Sequence, residues 1–191
     1  AHSGAKPVLV DVDPRTRNLD PRLLRLVVRN RTRVILPVHL FGRPADMDPI
    51  LRAAEDCHAV VIEDAAQAHG AVYRGKRIGS IGRMAAFSFY PGKNLGAYGE
   101  AGAVTTNDPS LDAKVRKLRD HGSEKKYYHD LLGYNARMEG IQGAVLGVKL
   151  RHLNEWNEAR RRVASWYDEA LQGLPVTLPA RDPDVTEVFH L

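Results

Sequence analysis

"AVVIED" (59–64), a continuous apolar run closed by Glu63 and Asp64, is the stretch that most limits the fold. A strand that is apolar on both faces is buried on both, as in a parallel sheet, whereas an antiparallel strand alternates. Similar runs occur at "PVLVDVD" (7–13), "RVILPVHLFG" (33–42), "AAFSF" (85–89) and "AGAVTTND" (101–108). Helical patterns separate them. "LDPRLLRLVV" (19–28) has Asp20 to cap and Pro21 in the first turn, and "DMDPILRAAEDC" (46–57) follows the second run. "DPSLDAKVRKLRDHG" (108–122) starts on Asp108 and stops at Gly122. This alternation predicts an α/β fold, a mostly parallel sheet with flanking helices on both faces. From Arg137 to Leu171 the spacing predicts a long helical stretch, with apolar residues at Ile141, Val145, Val148, Leu153, Trp156, Val163 and Tyr167. A Pro-rich connector follows at 173–185, and "EVFHL" falls in the middle of what reads as another strand.

Bulk properties narrow the function classes. The chain has 191 residues, 43% hydrophobic and 27% charged, an ordinary globular balance. No apolar run approaches the roughly 20 residues that cross a bilayer, so no membrane is expected as a partner. The sole cysteine, Cys57, excludes an internal disulfide and suits a reducing, cytoplasmic setting. The net charge is +5, but basic groups such as "EARRRVA" (158–164) are interleaved with acids and no nucleic-acid-binding motif is present. An anionic small substrate fits that balance, and no nucleic acid is expected. The chain starts without Met almost directly on a strand and ends in "EVFHL", so it is expected to be a piece of a longer protein.

In open α/β sheets, ligands bind beyond the carboxyl ends of the strands. His39, Asp64 and Ser88 stand at such ends, with Gln67 three residues after Asp64 and Lys93 five after Ser88. Lys93 lies in "SFYPGKNLGAYGEAG" (88–102), among Gly92, Gly96, Gly99 and Gly102. A P-loop reading fails, because Phe87 replaces its first glycine and Asn94 its Ser or Thr. Each residue alone also has an ordinary reading: Lys93 as a solvated loop lysine, Asp64 as a helix cap, His39 as a structural histidine. There is no metal-ligand spacing and no G-x-S-x-G elbow. Taken together, the lysine, carboxylate, amide and hydroxyl are what pyridoxal 5'-phosphate requires. The lysine amine forms an imine with the cofactor aldehyde, a carboxylate keeps the pyridine nitrogen protonated, and a hydroxyl holds phosphate.

"VIEDAAQAHGAVYRGKRIGSIGRMAAFSFYPGKNLGAYGEAGAVTTND" resembles the core of the DegT/DnrJ/StrS family of pyridoxal-phosphate-dependent nucleotide-sugar aminotransferases. "LPVHLFGRPADMDPI" and "LRDHGSEKKYYHDLLGYNARMEGIQGAVLGVKLRHLNEWNEARRR" carry the resemblance across almost all of the chain. It implies the large domain of an aspartate-aminotransferase-like fold over 1–150. Over 151–191 it implies a long connecting helix and the start of a small C-terminal domain. It further implies a homodimer with active sites at the subunit interface. By position, Lys93 matches the imine lysine and proton shuttle, Asp64 the carboxylate on the pyridine nitrogen, and Gln67 the amide at the phenolic oxygen. Ser88 matches a phosphate ligand, and Asn135 an asparagine that reaches the neighbouring subunit's cofactor. Arg137 matches a family arginine without an assigned role. The family's D-G-G is Glu100-Ala101-Gly102 here, and its early phosphate loop and stacking aromatic would lie upstream of Ala1.

The resemblance implies transfer of an amino group from glutamate to a keto-sugar on a nucleoside diphosphate. A 3-keto substrate is favoured, with a 4-keto substrate as the alternative. Sugar dehydratases and regulatory relatives form the other class, as does an inactive fragment. The dehydratases replace the lysine, and Lys93 argues against them.

Overall fold

The structure, a computed structural model, describes residues 3–191. Its centre is a four-stranded sheet. In chain order, α1 (Pro21–Val27) leads to β1 (Val34–Ile35), α2 (Met47–Asp56) and β2 (Val60–Asp64). Two short strands, β3 (Val72–Tyr73) and β4 (Lys76–Arg77), precede β5 (Met84–Ser88), β6 (Gly102–Thr105) and α3 (Pro109–Arg119). A small hairpin, β7 (Ser123–Lys125) and β8 (Tyr128–His129), comes before α4 (Gly140–Lys149) and α5 (Leu153–Ala170). A single 3₁₀ turn at Leu150–His152 joins those two helices, and β9 (Val185–Thr186) is the last strand.

The sheet order is β1-β2-β5-β6. β1 and β2 are parallel, as are β2 and β5, so the mostly parallel sheet expected from the apolar runs is present. β6 is the exception and pairs antiparallel with β5. The residues between those two strands form turns, not the helix that a parallel crossover normally uses. The caps are where the sequence puts them. Asp20 accepts from the Arg22 amide, Asp108 accepts from the Ser110 and Leu111 amides, and Gly122, at φ +76°, donates to the Lys117 carbonyl.

Two expected strands are shorter than their patterns. "PVLVDVD" yields only a bridge between Val12 and Leu19, with Leu9 91% exposed, because no neighbouring strand among the described residues pairs with it. In "RVILPVHLFG", Pro37 has no amide to donate, and pairing shrinks to Val34–Ile35 plus a bridge from Val38 to Asp64. Among the described residues, α1 and α2 cover one face of the sheet. Ile35, Val61 and Ala85 pack against Met47, Ile50, Ala53 and Ala54 of α2 and Leu24 of α1. On the alternate face Val34, Leu36 and Val60 are exposed.

Residues beyond α5 return to this body. β9 pairs with β3, the Val188 and His190 amides donate to the Gly42 and Phe41 carbonyls, and Val188 is fully buried in the main core.

Glu63 is the polar centre of the sheet. Its carboxylate is fully buried and accepts from His39 Nε2 at 3.1 Å and from the amides of Gly79, Ile81 and Gly82 at 3.0, 2.9 and 2.7 Å. His39 Nδ1 accepts from the Ala45 amide at 3.0 Å, which places the ring proton on Nε2. His39 is therefore a structural histidine. Burial alone would raise the Glu63 carboxyl; the bonds from His39 and the three amides outweigh it and hold the group below its usual range. A depressed carboxylate stabilises the fold above its unfolded pKa of about 4.3 and loses that contribution as pH falls through the folded value. Glu63→Gln should cost about 3 kcal/mol at pH 7, since it swaps an acceptor-only group for one that turns an N–H toward donors. In denaturant titrations of the two proteins the gap should narrow steadily below about pH 4. A gap under about 1 kcal/mol at pH 7 would show that the carboxylate is not the tie described.

Candidate active site

The carboxyl ends of β2 and β5 lie side by side. Their register pairs Asp64 with Ala86, so Ser88, two residues further along β5, presents its side chain on the same face. Asp64 and Ser88 line one shallow pocket of about 320 Å³ with Leu36, Ala66, Ala86 and Phe87. It opens on the sheet face that α1 and α2 leave bare. Asp64 is held by its backbone: its amide donates to the Pro37 carbonyl at 2.9 Å and its carbonyl accepts from the His39 amide at 3.1 Å. One carboxylate oxygen, Oδ1, accepts from the Ala66 amide at 3.1 Å, so Asp64 does cap the turn after β2 while remaining at the pocket. Ser88 Oγ accepts from the Tyr90 amide at 3.3 Å.

Lys93 stands on a closed loop that leaves β5 at Ser88. The Ala97 amide donates to the Phe89 carbonyl at 2.8 Å, and the Lys93 amide to the Tyr90 carbonyl at 2.9 Å. The loop folds onto itself so tightly that a Cβ on Gly96 would sit 2.3 Å from the Pro91 carbonyl oxygen. At Gly92 the nearest atom is 3.6 Å away, on the Tyr90 ring. Of the glycines flanking Lys93, Gly96 is thus required by packing, beyond any role in letting the amine move.

The other expected residues are placed less directly. Gln67 Oε1 accepts from the Phe41 amide at 2.6 Å, steadying a turn in which Phe41 has φ +60°. Asn135 is exposed and does not line the Asp64 pocket; it lies on a segment bridged to Asp120 at the end of α3. Arg137 pairs with Asp120 at 2.8 Å. A larger open depression, about 760 Å³, lies between α1 and α2. Two of its arginines are paired, Arg22 with Asp20 and Arg74 with Asp48, and none of its lining residues belongs to a strand of the central sheet.

Sequence reasoning passed over His69. The ring is 3% exposed, lies against Phe87 and Phe89, and neither nitrogen has a hydrogen-bond partner. Burial chiefly, with the nearby charges of Lys93 and His190, pushes it down to about 4; the Ser88 backbone opposes this without closing a good hydrogen bond. His69 is thus a neutral neighbour of the lysine loop at pH 7. The signal for it was its place two residues after Gln67 in "DAAQAHG".

All 191 residues match the DegT/DnrJ/EryC1/StrS aminotransferase family. The chain belongs to that family. It is 50% identical over 191 residues to dTDP-3-amino-3,4,6-trideoxy-alpha-D-glucose transaminase of Streptomyces venezuelae, covering 99% of this chain and 50% of that protein. It is also 50% identical over 194 residues to a pleiotropic regulatory protein of Geobacillus stearothermophilus, covering 100% of this chain and 52% of that one. Among solved structures it resembles S. venezuelae DesV in complex with a ketimine intermediate, with a TM-score of 0.96 and 49% identity over 99% of this chain and 51% of that one. The chain thus spans about half the length of these relatives. Within the family's α/β fold, the rim that joins Asp64, Ser88 and the Lys93 loop is its candidate active site.

Gly96→Ala should force the loop open, at a cost of about 1–3 kcal/mol, while Gly92→Ala should be tolerated. Limited trypsin digestion reads this out as cleavage after Lys93, fast in Gly96→Ala and slow in Gly92→Ala and the unaltered protein. Equal rates in all three would contradict the packing described.

Proposed function

We propose that this chain carries the lysine side of the active site of a pyridoxal-phosphate-dependent aminotransferase that aminates a 3-keto sugar on a nucleoside diphosphate, with glutamate as donor. One observation carries the reading: Asp64 and Ser88 share a pocket beside the Lys93 loop in a chain half identical to a named sugar transaminase. The residues suit the cofactor. A carboxylate and a hydroxyl face one open pocket, a lysine stands on a short loop from the same strand end, and the bare sheet face leaves room for a flat ring. When bound, pyridoxal phosphate supplies an aldehyde carbon for a lysine amine and a ring that stores the electrons released on deprotonation of an amino acid. In this reading Lys93 would hold the cofactor and, once the substrate amine has displaced it, its free Nζ would be the base for the α-proton of glutamate and the acid that gives a proton to the sugar carbon. Asp64 would hold the cofactor's ring nitrogen and Ser88 its phosphate. Gln67 would serve its phenolic oxygen. The net charge of +5 favours approach of an anionic nucleotide.

The proposal includes a cytoplasmic homodimer in which Asn135 serves the partner's site. Asn135 is exposed, and Tyr127, Tyr128, Leu132, Tyr134 and Ile141 around it are 66–96% exposed, an apolar display that fits a subunit interface. It also includes α5 as the connection from a large domain (1–150) to a small one. A regulatory role has one observation in its favour, the Geobacillus relative. Lys93 and the carboxylate beside its loop favour catalysis.

Incubating the whole protein with pyridoxal phosphate, ¹⁵N-glutamate and dTDP-linked 3-keto and 4-keto sugars should place ¹⁵N on C3 of the sugar. Label at C4 would revise the substrate, and no label from any keto-sugar would contradict the function. In the same assay, a mixture of inactive Lys93→Ala and Asn135→Ala chains should regain activity as subunits exchange; an inactive mixture would show that Asn135 does not cross the interface.

A further inference from the structure

We infer that a single stripe of the α4–α5 helical run positions the Lys93 loop, and that Gln142, Lys149 and Asn157 are positioning residues for the reacting lysine. Gln142, Lys149 and Asn157 lie seven and eight residues apart. Gln142 and Lys149 stand about two turns apart on α4; Asn157 follows on α5 beyond the 3₁₀ turn at Leu150–His152, and contact with one loop places all three on a common side of the run. Each grips a different point of the loop. Gln142 Oε1 accepts from the Tyr98 amide at 2.8 Å. Lys149 Nζ donates to the Gly96 carbonyl at 2.7 Å, with its ammonium 4.9 Å from the centre of the Tyr98 ring. Asn157 Oδ1 accepts from Asn94 Nδ2 at 2.9 Å.

The order of these contacts shows a register. As the helix number rises through 142, 149 and 157, the loop number falls through 98, 96 and 94, so helix and loop run antiparallel. Between the polar points sit the apolar ones: Leu95 and Ala97 of the loop are buried in one cluster with Leu146 and Leu153 of the helices. The loop therefore alternates polar and apolar contacts against one helix face. Its deep end is tied hardest. Asn157 and Asn94 are 2% and 6% exposed; Asn157 Nδ2 also donates to the His69 carbonyl at 2.8 Å, and Asn94 Nδ2 to the Val188 carbonyl at 2.8 Å. Lys93 is the residue immediately before this tie. Its Cα is fixed while its side chain stays half-exposed, which suits an amine that must reach a set point and still move.

The inference rests on Lys93 being the reacting lysine. Gln142→Leu and Lys149→Met remove one grip each, while Gln142→Glu keeps an acceptor and Lys149→Arg keeps a donor. In the whole, cofactor-loaded protein the first pair should lower kcat about tenfold with KM for the nucleotide sugar within about twofold, and the second pair should restore kcat. In the cofactor-free protein, amide exchange within 90–99 should quicken about three- to tenfold in the first pair and return to the original rate in the second. Equal losses in the removing and retaining variants, or unchanged exchange in 90–99, would overturn the inference. If Lys149→Met does not fold, half-exposed Gln142 decides it by the same two readouts. An unaltered protein that transfers no amino group defeats the functional reading, whereas an active one indifferent to these substitutions defeats only the helix stripe.

Discussion

The buried carboxylate of Glu63 is the tie on which the rest of the arrangement depends. It joins His39, which follows β1, to β2 itself and to the Gly79–Gly82 turn that launches β5. Those are the elements whose ends make the pocket. An acceptor-only group at the centre of a sheet is tolerable when every lone pair is used, and four donors converge on it. With β2 and β5 locked in that register, Asp64 and Ser88 fall on the same face without any direct contact between them. The pocket's geometry is thus set one residue before Asp64, by a carboxylate that is itself fully buried away from the pocket.

A second layer of order acts on the lysine loop. Sheet register fixes where the loop begins, at Ser88. The loop's own closure, Phe89 to Ala97, and the steric demand at Gly96 fix its shape. The helical run after Met138 then fixes its position from outside. These constraints differ in kind: hydrogen bonding within a sheet, close packing at a glycine, and a mixed polar and apolar face on a helix. Lys93 sits where all three meet, and its side chain is the part they leave unconstrained.

Much of this was legible in the sequence for a physical reason. Unbroken apolar runs and capping residues report local preferences, and β2, β5, α1, α2 and α3 follow them closely. The convergence of Asp64 and Ser88 followed from the general rule about strand ends. What could not be read was whatever depends on a partner far along the chain. "PVLVDVD" has strand chemistry but nothing among the described residues to pair with, and β6 runs antiparallel because of what its connection lacks. Glu63 looked like one acid closing a strand, since its four donors come from positions 39, 79, 81 and 82. Asn94 looked like a departure from a P-loop, and only the fold reveals Asn157, 63 residues away, as its partner. Gln142, Lys149 and Asn157 did carry a signal, their two-turn spacing, but spacing alone does not say what a helix face touches.

The central claim is that Lys93 is the residue this scaffold exists to place. Borohydride reduction of the whole protein loaded with pyridoxal phosphate, followed by peptide mapping, tests it most directly. The account predicts that the visible cofactor band is bleached and that a covalent adduct is found on Lys93, within "SFYPGKNLG". An adduct on another lysine, such as Lys76 or Lys149, or a loaded protein with none, would contradict it.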